Sequence, residues 1–212
     1  MAGTSNHLQN LWADFELRGQ AFTPPATEYV ALFTCTNGAI ARSTAYTVGE
    51  TATYVAADGH NHLYKCTTAG TTASTAPAYP GAPNEVITDG TAVFTEQTSV
   101  LEAGTIVEVS GGSYARVGIA SSLTDWSGTQ GAGTTVASSG TSATISNNVA
   151  IAFPTPTANW STLPVQVCGF YLYDAATAGN PMRYGMLTAN QNISTGNTVS
   201  FAAGELTIVL DN

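Results

Sequence analysis

After Pro24 and Pro25 the chain shows no helical periodicity; short β-prone runs follow one another, each cut off by glycine or asparagine. The runs fall at 28–34, 105–109, 114–119, 143–145, 149–153, 165–173, 183–187, 198–201 and 206–210. Between them stand Gly111-Gly112, the loop 131–133, the turn 138–140, Gly179-Asn180 and Gly196-Asn197. Turns this frequent keep strands short, and short strands joined by tight turns pair antiparallel. The expected fold is therefore all-β: an antiparallel β-sandwich, jelly-roll-like, with a short N-terminal amphipathic helix and a small inserted β module. The run 28–34 is almost continuously apolar, which fits a strand covered on both faces.

The helix precedes the prolines. Ser5 or Asn6 can cap its start, and Gly19 after Arg18 can stop it. Leu8, Leu11, Trp12 and Phe15 recur at i, i+3, i+4 and i+7, so they form one apolar stripe. An isolated helix this short is marginal in water. The stripe must therefore lie on the protein's own sheet or on a neighbouring subunit, and these four residues are the expected assembly interface.

Charge is scarce. Asp, Glu, Lys and Arg make up 9% of 212 residues, against roughly 25% in ordinary soluble domains. A surface wetted by Thr, Ser, Asn and backbone can dock against copies of itself with few charges to strip of water. The five basic residues, Arg18, Arg42, Lys65, Arg116 and Arg183, are scattered in a chain of net charge −9. That excludes an electrostatic footprint for nucleic acid or an anionic membrane. The hydrophobic share of 43% is too high for a disordered chain. No apolar run is long enough to cross a bilayer, and no secretory signal opens the chain, so synthesis in a host cytoplasm is expected. Cys35, Cys66 and Cys168 are far apart, odd in number and set in apolar or alternating stretches; they are expected to be buried reduced thiols.

Residues 39–98 have a different texture. Tyr46, Tyr54, Tyr64, Tyr79 and Phe94 are dense there, aliphatic residues are few, and Pro77, Pro80 and Pro83 cluster. The expected division is a sandwich body of 1–38 plus 99–212 with a small β module, 39–98, inserted between its first core strand and the rest. So small a unit has little interior in which to hide tyrosines. They either pack a minimal core or stack on a saccharide.

Catalytic and metal chemistry find little support. Asp58-Gly59-His60-Asn61-His62 places two histidines on one face of a strand, but no further His or paired Cys completes a zinc set, and polar residues at an exposed hairpin tip are the simpler expectation. No Gly-x-Ser-x-Gly occurs, and the glycine pairs are neither followed by a helix nor part of a phosphate loop. Trp126 and Trp160 are expected in the core. No enzyme, cofactor or metal is expected.

Several stretches resemble, in order, a widespread tailed-bacteriophage family of tail-fibre-like proteins. The first runs from Arg18-Gly19-Gln20-Ala21-Phe22-Thr23-Pro24-Pro25 through Leu32-Phe33-Thr34. The second is Glu108-Val109-Ser110-Gly111-Gly112-Ser113-Tyr114-Ala115-Arg116-Val117. Ser146-Asn147-Asn148-Val149-Ala150-Ile151-Ala152-Phe153-Pro154, Gly169-Phe170-Tyr171-Leu172-Tyr173-Asp174 and Phe201-Ala202-Ala203-Gly204-Glu205 follow. Residues 43–50, 63–71 and 88–94 resemble small chitin-binding-type carbohydrate modules, departing from them at Ile40-Ala41-Arg42, where an aromatic is usual, and at Phe94, where Trp is commoner. These resemblances imply a non-enzymatic virion surface protein, homo-oligomeric and most simply trimeric, that contacts other virion proteins in tail or capsid. They imply host-surface polysaccharide as a ligand, with Tyr46, Tyr54, Tyr64 and Phe94 as the glycan-binding rings. The alternatives are a capsid decoration (cement or head-fibre) protein and a polysaccharide depolymerase.

Overall fold

The computed structural model describes residues 2–130, 135–139 and 144–209. Helix α1, Asn6–Arg18, starts where Ser5 accepts a hydrogen bond from the Leu8 amide and stops at Gly19, whose φ of 65° is the left-handed cap. Before it lies the short strand β1, Ala2–Thr4. After the prolines the chain forms β2, Thr27–Cys35.

Strand β2 lies inside a five-stranded antiparallel sheet. Its neighbours there are β9 (Val117–Ala120) and β13 (Gln166–Tyr173), and β14 (Pro181–Gln191) and β1 continue the sheet beyond β13. As expected of a nearly continuous apolar run, both faces of β2 are covered. Val30 and Leu32 join Phe170 and Leu172 of β13 in one core, while Ala31, Phe33 and Cys35 join Tyr171 and Tyr173 in a second. A bulge between Val167 and Gly169 makes this sorting possible. It shifts the alternation by one, so Val167 and Phe170 share a face although an odd number separates them. Gly169 is required at this point: a Cβ there would lie 2.0 Å from the Phe33 ring and 2.6 Å from the Gly185 carbonyl.

The first core is roofed by two small antiparallel sheets. One joins β10 (Trp126–Ser127), β11 (Thr144–Asn147) and β16 (Thr207–Val209); the other joins β12 (Ile151–Ala152) and β15 (Ser200–Phe201). They bring Ile151, Phe153, Leu206 and Ile208 onto the sheet, with Trp160 buried among them and Trp126 half-buried at the edge. This layering is an antiparallel β-sandwich, and the all-β expectation holds.

Between β2 and β9 the chain forms β3 (Ala45–Tyr46), β4 (Thr51–Val55), β5 (Asn61–Thr68), β6 (Gly70–Thr71), β7 (Val86–Asp89) and β8 (Ala92–Glu96). Two sheets result, β3-β6 and β4-β5-β8-β7. Their own core is Ile40, Tyr46, Ala52, Tyr64, Cys66, Tyr79, Ala92 and Phe94. These strands also lean on the second face of the large sheet, since Leu63 of β5 is buried among Phe33, Tyr171 and Tyr184.

Three expectations need correction. A second helix exists: α2, Thr98–Glu102, whose Leu101 plugs the second core while its carbonyl accepts a hydrogen bond from the Tyr171 hydroxyl at 3.1 Å. One turn is too short to leave a periodic signature. Second, 105–109 is no regular strand, although the Thr34 amide donates to Val107 and the Val109 amide to Leu32. Third, the other predicted runs hold, but most are trimmed to two to four regular residues, as at Ile151–Ala152. The loop 131–133, and parts of the turn 138–140 and of the runs 143–145 and 206–210, lie outside the described residues. All three cysteines are free and buried.

Candidate functional site

Four places carry the residues singled out by the sequence: the aromatic cluster of 39–98, the Asp58–His62 turn, helix α1, and the motif spanning 108–117.

In the cluster, strands β3, β5 and β8 turn Tyr46, Tyr64 and Phe94 inward, and all three are buried. Tyr46 meets Phe94 edge-on at 5.2 Å between ring centres, and Tyr64 meets Tyr79 edge-on at 4.9 Å. These rings therefore face one another rather than solvent, because a segment with few aliphatic residues must build its core from aromatics. Tyr54 differs. It is half-buried, tilted against Tyr79 at 4.4 Å, with the Arg42 guanidinium over its ring at 5.4 Å.

Each buried hydroxyl in the cluster has a partner. The Tyr64 hydroxyl donates to the Pro80 carbonyl at 2.6 Å, the Tyr46 hydroxyl accepts from the Ala41 amide at 2.9 Å, and the Tyr79 hydroxyl donates to Asp89 at 2.6 Å. Asp89 is buried and also receives the Arg42 guanidinium at 2.6 Å and the Ala73 amide at 2.8 Å. Burial alone would raise the Asp89 pKa, but the bonds from Tyr79, Ala73 and Arg42 outweigh it and hold the carboxyl below its usual range. Burial pushes the Tyr64 and Tyr79 hydroxyls up, with nearby carboxylates adding to it.

The 58–62 turn was expected to hold two exposed histidines. Only His60 is exposed; His62 is fully buried. Its Nδ1 lies 2.9 Å from Glu96 Oε1, and its Nε2 lies 2.9 Å from Asp58 Oδ2. Glu96 is buried as well, and it accepts the Thr98 amide at 2.8 Å and the Thr98 hydroxyl at 2.6 Å. With a carboxylate on each nitrogen, the ring satisfies both only as the doubly protonated cation. Burial alone would lower the His62 pKa; the bonds to Glu96 and Asp58 reverse this and raise it. Asp58 is itself held below its ordinary range: burial opposes, while the His60 amide and His62 prevail. This cluster ties β5 to the turn into α2. Among the described residues no group of three or more His, Cys, Asp or Glu is arranged to hold a metal ion.

Helix α1 seats only part of its stripe. Leu8 is buried near β14; Leu11 and Trp12 are half-buried; Phe15 is 54% exposed. Leu17, off the stripe, is 85% exposed. The helix thus leaves the sheet as it proceeds and carries an apolar edge into solvent.

The motif 108–117 proves to be a clamp. Arg116 grips Glu108 with two bonds, at 2.9 and 2.7 Å, and lies 3.5 Å over the Tyr173 ring. The Tyr114 hydroxyl donates to the same carboxylate at 3.0 Å and accepts the Leu32 amide at 2.8 Å. The clamp residues are half-buried, whereas Asn147, in the motif 146–154, is buried, donating to the Val149 and Ala202 carbonyls and accepting from the Leu206 amide. Sequence reasoning assigned no role to Glu108, Arg116 or Asn147. For Glu108 and Arg116 the available signal was a charge flanked by apolar residues, Val107 and Val109 in one case and Ala115 and Val117 in the other; Asn147, between Ser146 and Asn148, carried none.

A family model described as Podophage GP4 fiber I protein gp80 matches residues 91–209, more than half of the chain. No curated protein matches the chain.

Proposed function

The chain belongs to this podophage fibre family, and from that premise we propose that it is a non-enzymatic fibre subunit, assembled as a closed homo-oligomer, whose segment 39–98 is a module that meets host-surface glycan. That it is a structural, fibre-like component of the virion follows from the family. The finer reading rests above all on helix α1. A stripe that is buried at Leu8 and exposed by Phe15 leaves an apolar edge that a second copy of the same chain can cover. Scarce charge lowers the desolvation cost of that contact. Closed cyclic symmetry covers such a contact without leaving a free interface, and a trimer is the assembly proposed. Repetition around the axis then turns weak single-site sugar contacts into useful avidity.

The family is one of fibre proteins, which favours this reading over capsid decoration or depolymerase activity. Light scattering on the purified protein and on a Trp12→Ser, Phe15→Ser double variant tests it. The unmodified chain is expected to run as an oligomer, and the variant as a monomer with an unchanged circular dichroism spectrum. A monomeric unmodified chain at tens of micromolar would remove the inter-copy role of α1.

A further inference from the structure

Along one side of the sandwich runs an open groove of about 1250 Å³. The body lines it with β14 and with the chain from Asn197 to Val209; from segment 39–98 it is reached by Asp58 and His60. Pockets for drug-sized ligands occupy about 300–1,000 Å³, so this groove admits a chain of several sugar rings. Resting on the glycan-attachment reading above, we infer that it is the glycan site, that its ligand is an uncharged oligosaccharide, and that body and segment 39–98 bind it jointly.

Three features carry the inference. First, the polar groups are fixed in place by the backbone. Asp58 Oδ1 accepts the His60 amide at 2.9 Å, Glu205 Oε2 accepts the Ala202 amide at 2.7 Å, and Asn197 Oδ1 accepts the Ser194 amide at 2.7 Å. Glu205 Oε1 and Asn197 Nδ2 make no hydrogen bond among the described residues, and the exposed His60 also lines the groove. Pre-positioned acceptors and donors with capacity left are what vicinal sugar hydroxyls require, and their fixed geometry lowers the ordering cost of binding. Second, half-buried Leu187, Val199 and Phe201 lie beside them and offer apolar surface to the C–H faces of pyranose rings. Third, no lysine or arginine lines the groove, while Asp58 and Glu205 do. Phosphorylated or carboxylated glycans would meet like charge there, and uncharged ones would not. The rings of 39–98 turned into its core need not touch sugar at all in this arrangement.

An array of uncharged and anionic bacterial-surface oligosaccharides, read with the purified protein, tests this. Thr198 and Thr188 are exposed and line the groove, so Thr198→Trp and Thr188→Trp fill it from its walls. Asn197→Ala removes one polar group of the groove and its bond from the Ser194 amide without adding bulk, and Val86→Trp places equal bulk on an exposed strand of 39–98 outside the groove. Uncharged oligosaccharides are expected to bind the unmodified protein, about tenfold or more weaker to each groove-filling variant and severalfold weaker to Asn197→Ala. Val86→Trp is expected to bind normally. Should a filled variant fail to fold, Asn197→Ala decides. Loss of binding in Val86→Trp with the groove variants unaffected would overturn the groove while leaving glycan attachment standing. Preference for anionic glycans would overturn the assigned ligand. A groove variant that dissociates the oligomer yet retains sugar binding would make the groove a subunit contact. If no oligosaccharide binds the unmodified protein, the groove and the attachment reading fall together.

Discussion

The sandwich body and the strands of 39–98 bury their apolar surface by different means. Beneath the roofing sheets, Val30, Leu32, Leu172, Ile151, Leu206 and Ile208 interdigitate with Phe153, Phe170 and Trp160. In 39–98 half of the buried core residues are aromatic, and the hydroxyls of Tyr46, Tyr64 and Tyr79 end on the Ala41 amide, the Pro80 carbonyl and Asp89. The body has two layers deep enough to cover aliphatic side chains on every side. A small unit lacks that depth, and a tyrosine suits it because the ring fills volume while the hydroxyl reaches the polar periphery. Its stability therefore depends on directed bonds, and the body's on packing. The seam joins the two: Asn61 Nδ2 donates to the Leu187 carbonyl at 2.9 Å, and Asn190 Nδ2 donates to the Thr53 hydroxyl at 2.7 Å.

That contrast can be broken at three points. The largest effect is expected from Phe33→Ala, which hollows the second core where body and 39–98 meet. It should cost about 3–5 kcal/mol in denaturant unfolding. A cost below about 1 kcal/mol would show that this face is not closely packed. Next comes Tyr79→Phe, which keeps the ring and removes the bond to Asp89; the expected loss is about 1–3 kcal/mol. Hydrogen exchange should speed up in β7 and β8 while β13 stays protected; equal acceleration in both would mean that the two regions are not stabilised by different means.

The third is a pH dependence to which the His62 cluster contributes at both ends of the range. Because the folded His62 pKa is raised, its contribution is fully present below the ordinary histidine value of about 6.5 and is lost as pH rises through the raised value. Asp58 runs the other way: its lowered pKa makes a contribution present above the usual carboxylate range and lost on acidification. Thermal melting should therefore be highest in mildly acidic solution and fall towards alkaline pH. In His62→Gln the alkaline fall should flatten. An unaltered alkaline limb in that variant would assign the dependence elsewhere.

Much of the fold was legible in the chain. The cap at Ser5, the stop at Gly19, the twice-covered strand β2 and the run that became β13 all follow from residues within a few positions of one another. The one-turn α2 and the irregular 105–109 were not legible, since each is held by distant partners, Tyr171 in one case and Thr34 and Leu32 in the other. Of the candidate site residues, the α1 stripe was legible as a stripe, but its gradual departure from the sheet was not. Tyr46, Tyr54, Tyr64 and Phe94 were recognisable as a concentration of rings whose facing could not be read. A core and a sugar platform demand the same residues.

Turn-punctuated alternation, the helix and its two ends, and the poverty of charge were determined by the sequence alone, because each depends on local backbone preference or on composition. Tertiary structure alone decided which way the rings and histidines face. His62 is buried because Glu96, 34 positions away, arrives beside it, and the Val167–Gly169 bulge reassigns the faces of β13. Burial is settled by what lies opposite, and that is a property of strand pairing across the whole chain.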